Sequence, residues 1–106
     1  MLPAEAYTSE EVLEWERRHL YAGAWTCLGR VTDLFPAESG LTQRAVMVGD
    51  VSCLVVRDSR DEQDAVRMFA NTCRHRGHEL LPSDGTSTKR MVSCPYHAWT
   101  LSLIHI

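Results

Sequence analysis

The sequence NTCRHRGH at residues 71–78 and the sequence CPYHAW at residues 94–99 determine how the rest of this chain is interpreted. Each stretch contains one cysteine and one histidine, spaced Cys-x-His in the first and Cys-x-x-His in the second. Thiolates and imidazoles are soft or borderline ligands that suit transition metals. Two such pairs, each among turn-forming residues, predict a metal site. Its four ligands would be Cys73, His75, Cys94 and His97.

Composition limits the classes of protein to which this chain can belong. Its 106 residues are enough for one small domain. A net charge of -3, from 11 basic and 14 acidic residues, provides no basic surface for nucleic acid. The apolar runs are too short to span a bilayer, and the first residues lack the basic and apolar regions of a signal peptide. We therefore expect a cytoplasmic protein with no nucleic acid or membrane partner, whose cysteines do not form a disulfide framework.

The N-terminal part of the chain has a helical pattern. Residues 7–22 predict one helix, with Thr8 as N-cap and Glu11 completing a capping box. Trp15 and His19 fall on its apolar stripe, and we expect them to pack against the domain.

Short β-rich runs separated by turns follow the helix. They predict strands at 25–31, 41–48, 51–57, 66–71 and 91–93. Gly49 and Asp50 are expected to form a hairpin turn between the second and third strands. The pattern predicts a mainly β fold, a small antiparallel β domain over residues 25–106 preceded by a helical leader over residues 1–24.

Three further expectations concern the segments between and within these strands. Residues 58–64 are predicted to form a solvated hairpin tip, and residues 80–89 a connector. Cys27 and Cys53 lie inside apolar alternation, and both are expected to be small buried side chains.

Three interpretations of the four ligands compete. The four residues could be unrelated, although two matched pairs in turns argue against this. They could hold a structural zinc ion, but zinc sites usually pair Cys-x-x-Cys with a His-x₃₋₅-His spacing, which these pairs fit poorly. The third interpretation is a Rieske [2Fe–2S] cluster, in which two histidines replace two cysteines on one iron. In that arrangement each loop would supply one thiolate to the inner iron and one imidazole to the outer iron.

Both stretches resemble the cluster-binding motifs of the Rieske-type non-haem iron oxygenases, the α subunits of aromatic-ring-hydroxylating dioxygenases and related monooxygenases. The sequences YTSEEV at 7–12 and WTCLGR at 25–30 are similar to the opening of those subunits. Respiratory Rieske proteins add a disulfide between the loops, whereas neither loop here has a second cysteine. The resemblance therefore implies a Rieske-type domain of the oxygenase or ferredoxin kind. It assigns the inner iron to Cys73 and Cys94 and the outer iron to His75 and His97.

The resemblance also implies a function. In that family the cluster takes one electron from an NAD(P)H-dependent reductase or a ferredoxin. It passes the electron, often across a subunit boundary in a trimer, to a mononuclear Fe(II) that activates O₂ for oxidation of an organic substrate. The remaining histidines, His19, His78 and His105, suggest no such second site. We therefore expect the electron-transfer domain of an oxidoreductase, a mono- or dioxygenase whose mononuclear iron lies in the parent protein only. A free-standing Rieske ferredoxin is the alternative.

The last residues differ from the family pattern. Residues 100–103 are suited to begin a strand, but residues 104–106 depart from the expected continuation. We therefore expect a C-terminally truncated chain. Its uncovered apolar side chains would be Leu101, Leu103, Ile104 and Ile106.

Overall fold

The computed structural model describes residues 1–58, 60 and 64–103, and they form a mainly antiparallel β fold with short helices. Four strands make one sheet in the order β3-β2-β1-β4, and two further strands make a separate hairpin, β5-β6. The strands are β1 (Gln43–Val48), β2 (Val51–Arg57), β3 (Val66–Ala70), β4 (Thr86–Ser87), β5 (Met91–Ser93) and β6 (Thr100–Ser102). The predicted fold class is confirmed.

The β1–β2 hairpin turns where the sequence predicts. Val48 pairs with Val51, so Gly49 and Asp50 alone form the loop. Gly49 has a φ of 59°, a left-handed conformation that glycine adopts without a Cβ clash. The predicted hairpin is therefore confirmed.

The core lies between the sheet and the β5–β6 hairpin. Leu54 and Val56 of β2 pack with Val92 of β5 and with Leu103, which is fully buried directly after β6. Phe69, Leu80 and Leu81 pack against this cluster from the side. Since β2 is an inner strand of the sheet, its residues 53–56 are buried on both faces.

A buried glutamine also attaches the β5–β6 hairpin to the sheet. Gln43 at the start of β1 is buried, and its Nε2 donates to the carbonyls of Lys89 at 2.6 Å and Met91 at 3.0 Å. Because a buried amide is costly unless it is hydrogen-bonded, these bonds favour one position of the hairpin over others.

An ion pair makes a second polar connection to the same hairpin. The carboxylate of Asp58, just beyond β2, is 3% exposed, and Arg90 Nη2 donates to both of its oxygens at 2.9 Å. The backbone N–H of Arg60 donates to Oδ1 at 3.0 Å. The prediction that residues 58–64 form a solvated tip is therefore wrong for Asp58, because a paired carboxylate can be buried; residues 59 and 61–63 lie outside the described residues.

The N-terminal helix is divided, and its predicted N-cap is wrong. Helix α1 (Glu5–Thr8) ends at Ser9, whose extended backbone (ψ 127°) separates it from α2 (Glu10–Glu16). Ser9, not Thr8, caps α2, because its Oγ accepts from the Val12 N–H at 3.4 Å. A π-helical turn, Arg17–Tyr21, completes the segment.

The predicted packing of this helical segment against the domain is also wrong. No residue of α1, α2 or the π-helical turn is buried. Trp15 is 55% exposed and stacks instead on His19, one helical turn later, with ring centroids 4.7 Å apart. Trp15 thus packs on a neighbour four residues later in the same helical segment instead of on the rest of the domain.

The strand predicted at residues 25–31 is absent. Residues 25–30 have no regular structure, and the short helix α3 (Val31–Leu34) follows. The alternating pattern there finds no partner strand among the described residues, and Trp25 and Cys27 are exposed. The burial prediction is therefore wrong for Cys27 and confirmed for Cys53.

The connector and the end of the chain differ partly from expectation. The predicted connector at 80–89 contains β4, which pairs with β1. Leu101 is exposed as expected, whereas Leu103 is buried because it enters the core under β2. Ile104 and Ile106 lie outside the described residues.

Among the helices that the structure describes, none has the length and apolar character needed to cross a bilayer.

We expect the substitution Arg90→Met to lower the free energy of unfolding by roughly 2–3 kcal/mol, because it leaves the buried Asp58 carboxylate without its main partner. Arg60→Met is the matched control. Its Nε lies 3.6 Å from the same carboxylate, but the side chain is 58% exposed, so we expect a loss below about 1 kcal/mol. Urea unfolding of both variants measures the difference. Equal losses would show that the Arg90 pair does not anchor the hairpin.

Candidate metal centre

Each predicted ligand pair lies in a tight loop. The first loop follows β3 and is closed by a backbone bridge between Thr72 and Glu79. The second joins β5 to β6, which pair from Ser93 and Thr100 outward. Both loops therefore begin and end on paired backbone, which restricts the positions of the residues between.

The two loops share one hydrogen-bond pattern. In the first, the Cys73 N–H donates to the His78 carbonyl at 2.7 Å, and the Gly77 N–H donates back to the Cys73 carbonyl at 2.8 Å. In the second, the Cys94 N–H donates to the Trp99 carbonyl at 2.8 Å, and the Ala98 N–H donates to the Cys94 carbonyl at 2.9 Å. In each loop the same two bonds join the cysteine to the residues four and five positions later.

In both loops, the fourth residue after the cysteine has a left-handed backbone. Gly77 has a φ of 71°, and Ala98 has a φ of 57°. Only glycine adopts this conformation without a steric penalty, so the second loop retains some backbone strain at Ala98. The spacing of the ligands differs between the loops, but the backbone turn that presents them is the same.

The two cysteines meet below the loops. Cys73 is 7% and Cys94 is 3% exposed, and the two thiols lie close enough to interact. Burial raises the pKa of the Cys94 thiol, but the backbone N–H groups of Tyr96 and His97, with the Cys73 thiol, donate to its sulfur and lower the pKa overall. The surroundings of Cys94 therefore favour its thiolate, which is the form that binds a metal.

The two imidazoles lie on the outside of the same site. His75 and His97 are exposed, and their ring centroids are 4.8 Å apart in an edge-on arrangement of 67°. Trp99 stacks on His75 with centroids 4.3 Å apart and planes 4° from parallel, and Tyr96 lies 3.9 Å from His97. The structure thus brings the two cysteines together and the two histidines together, with the sulfur donors buried and the nitrogen donors exposed.

A residue outside the ligand set supports the first loop. Asn71 is buried; its Nδ2 donates to the Leu81 carbonyl at 2.6 Å and to Ser52 Oγ at 3.0 Å, and its Oδ1 accepts from the Leu81 N–H at 3.0 Å. This fully bonded amide joins both ends of the loop to β2. The sequence includes Asn71 in the motif but has no signal for this role, since its partners are distant along the chain.

The donor arrangement has the pairing of ligands that a two-iron cluster requires. Among the residues that the structure describes, no three His, Cys, Asp or Glu side chains converge closely enough to hold one metal ion. A structural zinc site places four ligands on one ion, whereas each iron of a Rieske cluster takes only two protein ligands. Two thiols grouped apart from two imidazoles match the arrangement of two protein ligands on each iron.

The family model for the Rieske [2Fe-2S] domain matches residues 24–104. The chain is 35% identical over 101 residues to the carnitine monooxygenase oxygenase subunit of Acinetobacter baumannii, covering 95% of this chain and 25% of that protein. It is 32% identical to the biphenyl 2,3-dioxygenase subunit alpha of Rhodococcus jostii, covering 92% and 20%. The chain therefore spans between a fifth and a quarter of the length of these relatives.

Solved structures agree with the sequence matches. A quaternary ammonium Rieske monooxygenase has a TM-score of 0.68 at 33% identity, covering 97% of this chain and 27% of that one. Naphthalene 1,2-dioxygenase also has a TM-score of 0.68, at 27% identity, covering 91% and 20%. The fold thus matches that of oxygenase subunits, which are oxidoreductases.

The matched loop turns generate a stability prediction. Gly77→Ala should lower the free energy of unfolding by about 1–2 kcal/mol, because an L-residue is strained at this φ although its Cβ would contact nothing within 4 Å. Ala98→Gly should leave stability unchanged or raise it by up to about 1 kcal/mol, since relief of strain offsets the greater backbone entropy lost by glycine.

Urea unfolding measures both changes, with Gly23→Ala as the control, because Gly23 does not have a left-handed φ. We expect that control to stay within about 0.5 kcal/mol of the parent chain. A Gly77→Ala protein as stable as the control would contradict the paired-turn description.

Proposed function

Because this chain belongs to the Rieske [2Fe–2S] domain family, we propose that it holds a [2Fe–2S] cluster on Cys73, His75, Cys94 and His97 and relays electrons within an oxygenase. The observation that supports this most strongly is the separation of donors, with two buried cysteines close to each other and two exposed imidazoles in contact. We propose the same division of ligands as in the family: thiolates on the inner iron and imidazoles on the outer iron. Within the chain, residues 25–106 would form this domain and residues 1–24 a helical leader.

When bound, such a cluster supplies reversible one-electron transfer. The residues of this chain determine where that chemistry takes place. Cys73 and Cys94 would bind as thiolates, and the N–H groups of Tyr96 and His97 stabilise negative charge on the Cys94 sulfur. Burial of both sulfurs excludes water from that side of the site.

The exposed side of the site suits contact with an electron donor. His75 and His97 are exposed, and so are Arg74 and Arg76 on either side of His75. We propose that an NAD(P)H-dependent reductase or a ferredoxin docks here, with acidic side chains near the two arginines, since complementary charge orients and accelerates such encounters.

The electron acceptor belongs to the longer protein. Related oxygenase subunits are about four times the length of this chain, and we propose that the parent protein holds a mononuclear iron outside residues 1–106. One related structure is described in terms of inter-subunit electron transfer, and we propose a homo-oligomer, a trimer, for the same purpose. We propose a cytoplasmic location, where cysteines stay reduced.

The named relatives suggest which substrates to test first. Those that oxidise carnitine reach 35% identity, and a glycine betaine monooxygenase reaches 32%. We propose a small quaternary ammonium compound as the substrate class of the parent protein, with a monooxygenase outcome.

The parent protein, supplied with a reductase, NADH and O₂, should consume carnitine or glycine betaine faster than biphenyl. Oxygen uptake together with product analysis measures this. Preference for an aromatic hydrocarbon would contradict the substrate class but not the cluster. Electron uptake by the complete native protein with no oxidation of any substrate would favour the free-standing ferredoxin.

Substitution of single ligands tests the site itself. After anaerobic reconstitution, Cys73→Ser or Cys94→Ser should reduce cluster content strongly, because each removes a thiolate from the buried side. His75→Cys and His97→Cys should retain a coloured cluster at a lower reduction potential, nearer the roughly −400 mV typical of all-thiolate plant-type clusters, because thiolate adds negative charge.

Cys53→Ser is the control, since Cys53 is a buried thiol in β2 outside the ligand loops. Iron and sulfide analysis, visible spectra and redox titration provide the measurements. An unchanged potential in an intact His→Cys cluster would refute the ligand assignment, and a colourless protein with stoichiometric zinc would refute the cluster.

A further inference from the structure

The hydroxyl of Ser52 lies between the two ends of the first ligand loop. Its Oγ accepts a hydrogen bond from Asn71 Nδ2 at 3.0 Å and donates to Glu79 Oε1 at 3.2 Å. Asn71 stands directly before that loop, and the backbone of Glu79 closes it through the bridge to Thr72. Because a hydroxyl can donate and accept at once, one side chain joins the residue that precedes the loop to the residue that ends it.

The backbone of Ser52 is bonded to the same loop. The Asn71 N–H donates to the Ser52 carbonyl at 2.9 Å, one residue beyond the last β2–β3 pair, in which Cys53 faces Ala70. The Asn71 side chain is aligned by the backbone of Leu81, to which it donates at 2.6 Å and from which it accepts at 3.0 Å. Ser52 thus holds the start of the loop through its main chain and its side chain together.

The strand that contains Ser52 also contacts the hairpin that carries the second ligand loop. Leu54, two residues after Ser52, packs with Val92 of β5 in the buried core. Val92 in turn comes two residues before Cys94. Since side chains two apart on a strand lie on the same face of a sheet, one face of β2 contacts the bases of both loops. This strand is therefore the common reference for the distance between Cys73 and Cys94.

We propose that Ser52 is a positioning residue, whose hydroxyl fixes the first ligand loop on β2 and so sets where Cys73 and His75 lie relative to the second loop. Cys73 comes two residues after Asn71, so a shift at the base of the loop moves the buried sulfur donor relative to Cys94. The effect of Ser52 on a cluster rests on the proposed function, whereas its effect on the loop does not.

The two loops provide an internal comparison for the first arm of the experiment, which measures amide hydrogen exchange in the chain without added metal. In the first loop the bonded N–H groups are those of Cys73 and Gly77, and Cys94 and Ala98 make the same bonds in the second. Ser52→Ala should accelerate exchange roughly three- to tenfold in the first loop, as expected for loss of a hydrogen bond, and leave the second loop unchanged. Ser52→Thr, which retains the hydroxyl on a side chain suited to strands, should restore the original rates.

Ser87→Ala is the matched control for this arm. Ser87 belongs to β4, at the opposite edge of the sheet from β3, and its Oγ accepts the Lys89 N–H at 3.1 Å. Its removal should leave exchange in both ligand loops unchanged. Exchange in Ser52→Ala that matches this control, or that accelerates equally in both loops, overturns the proposal.

A second variant decides the question if Ser52→Ala does not fold. Glu79→Ala removes the carboxylate that accepts from the Ser52 hydroxyl. It should accelerate exchange selectively in the first loop, in the same direction as Ser52→Ala. Acceleration that is absent, or that is shared by both loops, overturns the proposal.

The second arm measures release of iron to a chelator from the reconstituted chain. Ser52→Ala should release its cluster roughly three- to tenfold faster than the unsubstituted chain, while Ser52→Thr and Ser87→Ala should release it at the original rate. Release from Ser52→Ala at the rate of the control overturns the positioning role. If the unsubstituted chain binds no cluster, the proposed function fails, while the exchange arm still decides whether Ser52 positions the loop.

Discussion

The convergence of two buried cysteines, Cys73 and Cys94, is the constraint on which the rest of the site depends. The ligand pairs are separated by residues 76–93, so the two loops must bring distant cysteines to the same buried point. The shared turn in each loop, with left-handed Gly77 and Ala98, meets this requirement from both sides. With both cysteines buried, the histidines that follow them in each loop are exposed.

The supporting structure consists largely of buried polar bonds. Asn71 closes the first loop onto β2, while Gln43 and the Asp58–Arg90 pair attach the hairpin that carries the second loop. In a small domain the apolar core is modest, and apolar packing tolerates sliding more than hydrogen-bond geometry does. Directional bonds therefore suit a site whose two halves must keep a set distance.

Local sequence rules were sufficient for part of this structure. The Gly49–Asp50 turn and the two ligand loops follow from short-range spacing and turn chemistry, and the structure agrees. The strand predicted from Trp25 onward is wrong because alternation does not provide a partner strand. Ser9 rather than Thr8 caps the helix, since both are good capping residues and the choice depends on where the backbone becomes extended. The stack of Trp99 on His75 and the bonds of Asn71 join distant residues, which spacing within one motif does not report.

We propose that two irons with different ligands share this site. Mössbauer spectroscopy of the protein reconstituted with isotopically enriched iron tests this most directly. We expect two iron signals of equal area, one from an iron with sulfur ligands only and one from an iron that also has two nitrogen ligands. A single signal from two equivalent irons, or the absence of bound iron in a folded protein, would contradict it.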